Sequence, residues 1–280
     1  MPYQEIPESR KHPLSDRTPP QTTELSTPSA TIDRIALVLG AFDGRGRLNL
    51  ANVVRHTGLP RSSAHRMLER LAEAHWVRRE GNEYELGSLL IHLGSLAIHQ
   101  NSLRRSATPI IHDLYRATGQ VVHLGILEGT HLLYLDKVGG RLAGSLPTRI
   151  GLRYPAGRSA IGKALLAFAH SDEDDPQLTP ELQAIRANGV AYETSQARAG
   201  GIVSIAVPIG PAGATVGALS LCGRVGDLRT DHRHAAPVRI AANAILRNIH
   251  RSRFHGSWSD GDSTDDIRPS ASSTHRLRFA

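Results

Sequence analysis

Gly58-Leu59-Pro60-Arg61-Ser62-Ser63-Ala64-His65-Arg66-Met67-Leu68-Glu69-Arg70-Leu71 is the stretch on which the reading of this chain turns. Gly58 stops one helix, Leu59-Pro60 makes a turn, and Pro60 or Arg61 opens the next. Ala64, Met67, Leu68 and Leu71 recur at helical spacing and form a core stripe. The opposite side then presents Ser62, His65, Arg66 and Glu69, with Arg61 and Ser63 at the start. Short hydroxyls let a helix N-terminus approach phosphates, and a long donor reaches base edges. This is the composition of a helix that reads a DNA groove.

The flanking residues fit. Ile32, Ile35, Ala36 and Leu39 mark an earlier helix with one apolar face, which Gly44 and Gly46 end. Leu48 reads as a short strand, and Asn49 is an N-cap for a helix through His56. After the quoted helix, Trp76-Val77-Arg78-Arg79 and Glu83-Tyr84-Glu85-Leu86 flank Glu80-Gly81-Asn82, a hairpin whose Gly-Asn pair supplies positive φ. Helix, helix, turn, helix and hairpin is the winged helix-turn-helix order. Arg61, Ser62, Ser63, His65 and Arg66, with Arg78 and Arg79 on the wing, are the candidate DNA-contacting residues.

Beyond it the period changes. Helices are predicted over 89–99 and over 102–118, the second with Pro109 inside and Gly119 at its end. Strands then predominate: 121–127 and 131–135 around a turn at Glu128-Gly129-Thr130, then 190–193, 202–208 and 216–221. Helices at 159–169, 181–188 and 231–251 interrupt them. This is α+β, with an antiparallel sheet and helices beside it, not a βαβ dinucleotide fold. The expected organisation is an arm over 1–28, a winged helix-turn-helix over 29–88, a linker helix over 89–101, a sensing domain over 102–251 and a tail over 252–280. Both arms are rich in polar residues and are expected to be disordered.

Composition narrows the partners. The 280 residues include 33 Lys and Arg against 26 Asp and Glu, a formal charge of +7 that favours a polyanion. The single cysteine excludes an internal disulfide. No signal peptide is read at the start. The uncharged run Ile202 to Cys222 is broken by Pro208, Gly210, Pro211 and Gly213, so it reads as two buried strands rather than a span of about 20 apolar residues. A cytoplasmic location is expected.

Enzyme signals are weak. Cys222 lies in the apolar run Ala218-Leu219-Ser220-Leu221-Cys222, where a buried inert thiol is the default. No His-Glu-x-x-His or Cys-x-x-Cys spacing occurs among the 15 histidines, and no cofactor motif is seen, so neither metal nor cofactor is expected. Gly162-Lys163 lacks the glycine spacing of a phosphate loop, and Lys163 reads as a capping or ion-paired residue. The acidic run Asp172-Glu173-Asp174-Asp175 reads as a solvated loop. An enzyme or a signalling module carrying an accessory helix-turn-helix is the alternative.

Residues 32–87 resemble the N-terminal domain of the IclR family of bacterial transcriptional regulators. Leu50-Ala51-Asn52-Val53-Val54 through Met67-Leu68, then Trp76-Val77-Arg78-Arg79 and Tyr84-Glu85-Leu86-Gly87, carry the likeness. Ile161-Gly162-Lys163-Ala164 resembles the family's Gly-Lys-Ala segment, and Gly200-Gly201 through Pro208-Ile209 its strand ending in Ala-Val-Pro. The resemblance implies a GAF-like effector-binding domain, dimers or dimers of dimers, and a small-molecule effector. It places the pocket at Ser159, Ala160 and Ile161, with Thr194, Ser204, Ser220 and Cys222 across it. Arg158 departs from the small residue of many relatives. It either contacts an effector, plugs the pocket or faces solvent. A helix start beside Arg158 and Ser159 favours a carboxylate, so an acidic metabolite is the expected effector.

Overall fold

The computed structural model describes residues 31–170, 179–195 and 201–256. The expected arm, the acidic run 172–175, and the part of the expected tail beyond 256 lie outside them. The described chain divides into two compact units, one ending at Gly94 and one beginning at Ser95.

The first unit contains α1 (Thr31–Gly40), β1 (Leu48–Asn49), α2 (Leu50–Thr57), α3 (Arg61–Glu73), β2 (Val77–Glu80) and β3 (Glu83–Leu86). Asn49 accepts the Asn52 N–H through its side chain, and Gly58 closes α2 with φ +67°. The three strands form one antiparallel sheet in the order β1-β3-β2. Positive φ in the hairpin turn falls on Gly81 alone, not on the Gly-Asn pair, because a glycine at the first central position suffices for a primed turn. The inward stripe of α1 also differs from the expected one. Val38 is buried and Ile35 packs against the core, whereas Ile32 and Ala36 are exposed. Val38, Ala41 and Phe42 meet Val53, Leu59, Leu68 and Leu71, so the wall of the core, not spacing from Ile32, sets the register.

α4 (Ser88–Gln100) follows and has no buried residue. The second unit carries α5 (Ser102–Thr118), β4 (Val121–Glu128), β5 (His131–Val138), α6 (Arg141–Ser145), β6 (Arg153–Pro155), a 3-10 turn (Ala156–Arg158), α7 (Ala160–Phe168), α8 (Pro180–Asn188), β7 (Ala191–Ser195), β8 (Ile202–Ile209), β9 (Gly217–Arg224) and α9 (His232–Gly256). α9 extends five residues into the expected tail. The strands form one antiparallel sheet in the order β6-β5-β4-β9-β8-β7.

Strand alternation splits this sheet into two faces. Val122, Leu124, Ile205, Val207, Leu219 and Leu221 pack with Leu103, Ile111, Val238 and Ile245, under α5 and α9. Tyr134, Ala206 and Ala218 pack with Ala160, Ile161 and Leu165 under α7. Gly162 permits this second contact, because a Cβ there would collide with the Ala156 carbonyl. A bulge in β5 shifts the pairing: Gly125 faces Tyr134, but Leu124 faces Asp136, skipping Leu135. The extra residue turns Asp136 to the α5 side while Tyr134 and Lys137 keep the α7 side.

Candidate functional site

Two regions bear the chemistry, one in each unit. In the first, α3 buries Ala64, Leu68 and Leu71 and half-buries Met67, as its stripe requires. Arg61, Ser62 and Arg66 are exposed, and Ser63 and His65 are half-exposed. His65 lies 3.5 Å from Glu69 one turn on. Ser63, Arg66 and Arg70 also edge a groove between α3 and α1 that contains Arg34 and Trp76.

The wing arginines are less free than the sequence implied. Arg78 donates through Nε to Glu85 at 2.7 Å, with a second, shorter contact through Nη2. Those contacts hold the Glu85 carboxyl below its usual range and raise Arg78. Arg47 adds a bond to Glu85 at 3.0 Å and a contact to Glu80 at 2.5 Å. Arg79 donates to the Gly81 carbonyl and lies over the Tyr84 ring at 5.8 Å. The wing is thus a charge-balanced ribbon, whereas Arg61 and Arg66 of α3 are exposed.

In the second unit, a cavity of about 620 Å³ opens on the α7 face of the sheet. Of the expected pocket residues, Arg158, Ser159, Ala160 and Ser204 line it. A smaller neighbouring cavity of about 110 Å³ is lined by Ser159, Ala160, Ile161, Ser204, Ser220 and Cys222. Arg158 is exposed on the 3-10 turn and edges the larger cavity from there. Thr194 lines neither. Its strand neighbours Glu193 and Ser195 do, as the two-residue period demands.

Several lining residues went unread in the sequence. His123 of β4 is 1% exposed. Its Nε2 lies 2.8 Å from Thr148 Oγ1, its Nδ1 lies 3.6 Å from Cys222 Sγ, and its ring meets Tyr134 edge to face at 5.3 Å. Burial, aided by the Lys137 charge, pushes the imidazole pKa down to about 3, so His123 is neutral. Burial likewise raises the Tyr134 hydroxyl and the Cys222 thiol, which keeps the thiol protonated beside Ser204 Oγ at 3.1 Å. Lys137 is not among the residues lining either cavity. Its Nζ instead donates to the carbonyls of Ala143, Leu146 and Thr148 at 2.7, 3.2 and 2.5 Å, clamping the segment whose Leu146, Pro147 and Thr148 form one wall.

The helix start expected to receive a carboxylate is already partly satisfied. Ser159 Oγ accepts the Gly162 N–H at 3.1 Å, and the Ala160 N–H bonds the Glu193 carboxyl. Lys163 pairs with Glu181 at 2.8 Å, the ion-paired role expected of it. Among the described residues no cluster of three metal-ligating side chains occurs, and no helix is long and apolar enough to cross a membrane.

An exposed basic helix in a three-stranded winged fold, followed by a separate cavity-bearing sheet domain, defines a DNA-binding regulator with a ligand-sensing unit. The comparisons agree: residues 31–81 match the IclR helix-turn-helix domain, and residues 95–175 match the C-terminal domain of bacterial transcriptional regulator IclR. The glycerol operon regulatory protein of Streptomyces coelicolor is 30% identical over 251 residues, 80% of this chain and 98% of that protein. The chain belongs to the IclR family of transcriptional regulators. The regulator XynR of Escherichia coli is 32% identical over 141 residues, 49% of this chain and 56% of that protein's length. The fold is shared with an IclR homolog from Microbacterium hydrocarbonoxydans complexed with 4-hydroxybenzoate (TM-score 0.65, 23% identity, 79% of this chain and 100% of that one). It is also shared with a transcriptional regulator from Rhodococcus (TM-score 0.63, 24% identity, 79% and 98%).

Proposed function

We propose that this chain is a cytoplasmic, homodimeric, sequence-specific DNA binder whose operator occupancy is set by a small acid held in the cavity beside α7. The outward side of α3 carries the reading. Ser62 and Ser63 allow close approach to phosphates, and Arg66 is the long donor for a base edge. Arg61 and His65 support the same surface. Arg78 and Arg79 steady the wing and meet the backbone only secondarily.

The acid reading rests on Arg158 at the cavity edge and on hydroxyls at Ser159, Ser204, Tyr134 and Tyr154. A structural relative binds 4-hydroxybenzoate, a ligand with a carboxylate and a hydroxyl. Dimerisation is argued from α4, on which Ile91 (75% exposed), Leu93 and Leu96 are all exposed. Such an apolar helix is covered by a second copy. Ligand binding then biases the relative placement of two DNA-binding heads by population shift.

Selection of duplexes from a random-sequence pool by the full chain tests this. A two-fold-symmetric site, with half-sites about one helical turn apart or multiples of it, is the expected product. Its binding should weaken steeply with salt as counterions are released. Enrichment of no sequence would count against the reading.

A further inference from the structure

Glu193 is the feature of the cavity that a simple acid leaves unexplained. It lies on β7 opposite Ser204, which in turn pairs with Cys222 on β9. The three form a polar row across adjacent strands, ending at Glu193. One carboxyl oxygen meets the Ala160 N–H, but Oε2 is shielded from solvent and has no hydrogen-bond partner. A shielded carboxylate oxygen without a partner is costly and calls for a donor.

The nearby charges do not supply one. Burial pushes the Glu193 carboxyl up; the Lys163 charge works against that shift and the Glu181 charge adds to it, and the Lys163 ammonium makes its contact with Glu181, at 2.8 Å. Among the described residues lining the larger cavity, the charged side chains are Glu193 and Arg158, one of each sign. A plain carboxylate ligand satisfies Arg158 alone and brings a second negative charge into the same cavity as Glu193. A ligand bearing one charge of each sign satisfies both.

Resting on the reading of this cavity as the effector site, we propose that the effector is zwitterionic, an amino acid or a close relative, with its ammonium on Glu193 and its carboxylate toward Arg158. Tyr134, Leu152 and Ile202 then receive its remaining carbon skeleton. The chemistry is that of ion-pair recognition at both ends of one small molecule, with the Glu193 end shielded and the Arg158 end at the cavity mouth.

The test is calorimetric titration of the full chain with matched probes. The protein amino acids and 4-aminobutyrate are each compared with the hydroxy acid and the deaminated acid of the same skeleton. At least one amino compound is expected to bind ten-fold or more tighter than both its analogues. Glu193→Gln, nearly isosteric, should reduce that preference to two-fold or less while the deaminated acid binds within about three-fold of its original affinity. No binding by any amino compound, or a preference that survives in Glu193→Gln, overturns the proposal.

Occluding variants separate the two levels of the argument. Ser204→Trp and Leu152→Trp fill the cavity from different walls, and circular dichroism with a cooperative urea transition reports that the sensing unit of each has folded. If a deaminated acid binds best and both variants abolish its binding, the zwitterion is wrong and the effector cavity stands. If ligands bind regardless of both, the cavity reading falls as well.

Discussion

Arg104 Nε of α5 lies 3.0 Å from Asp136 Oδ2 of β5, an ion pair whose carboxylate is only 4% exposed. The bulge at Leu135 creates it. Without the extra residue, Asp136 would share the face of Tyr134 and enter the cavity side. Asp136 also accepts the Lys137 N–H at 2.8 Å, whereas Arg104 Nε sits at ionic range without hydrogen-bond alignment. Arg104 itself is held at the start of α5, its N–H bonded to the capping Asn101 side chain. A strand that walls the cavity is therefore tied to the helix that immediately follows α4.

Asp136→Ala should destabilise the chain by about 2–4 kcal/mol, since it leaves the guanidinium partly buried and unpaired. The double variant Arg104→Met, Asp136→Ala should lose clearly less than the losses of Arg104→Met and Asp136→Ala added. Urea denaturation of all four proteins measures the coupling. Additive losses would mean that the pair contributes nothing as a pair.

Arg66→Ala should weaken binding to the selected operator by about 10- to 100-fold, the range for one base-reading arginine. Binding to random duplex should fall far less. Arg78→Ala should have the smaller effect on the operator, because Glu85 already neutralises Arg78. Fluorescence anisotropy on both duplexes distinguishes these, and equal losses on the two would exclude base reading by Arg66.

His123 makes the sensing unit acid-sensitive. Its folded-state pKa of about 3 lies below the ordinary 6.5, so between those values the unfolded chain binds the additional proton. Stability from this group is complete above about pH 6.5 and falls as pH falls, by about 1.4 kcal/mol per unit. In His123→Gln that component of the slope should vanish. Urea midpoints at pH 7, 6 and 5 check the difference between the two proteins.

Lys137→Met should release the clamp on residues 143–148. Amide hydrogen exchange in that segment is expected to accelerate at least ten-fold, with β4 and β9 little changed. Ligand affinity should drop with it, because Leu146, Pro147 and Thr148 are no longer held as a wall. Unchanged exchange would show that the segment is fixed by other contacts.

Leu96→Glu and Ile91→Glu, made singly, should each convert the proposed dimer to a monomer without unfolding it, since neither residue is buried within the chain. Light scattering after size exclusion reads the mass, and circular dichroism checks the fold. A dimer that persists in both variants would move the interface away from α4.

The elements that could be read were those with a local signal. Asn49 and Gly58 bracket α2, Gly119 ends α5, and the apolar stripe of α3 separates Ala64 and Leu68 from Ser62 and Arg66. The cavity was legible only in part. Ser159, Ala160, Ser204, Ser220 and Cys222 were reachable through motif resemblance. Glu193 was missed in favour of Thr194 because a one-residue error in strand phase exchanges the faces. His123 and Tyr134 looked like ordinary strand residues, and their positions depend on pairing with β9 and on a bulge that leaves no mark in composition. Lys137 reaches up to eleven residues along the chain to grip carbonyls, a contact that no local pattern announces.

The division of labour along β4, β8 and β9 bears on how such a sensor diversifies. His123, Ser204, Ser220 and Cys222 alternate with Val122, Ile205, Leu219 and Leu221, so chemistry and support occupy separate positions of the same strands. A substitution at one position changes the lining of the cavity, while the residue beside it continues to hold the sheet on α5 and α9. Under the proposed effector reading, descendants of one ancestor can therefore change their ligand by single codon steps without passing through an unfolded intermediate.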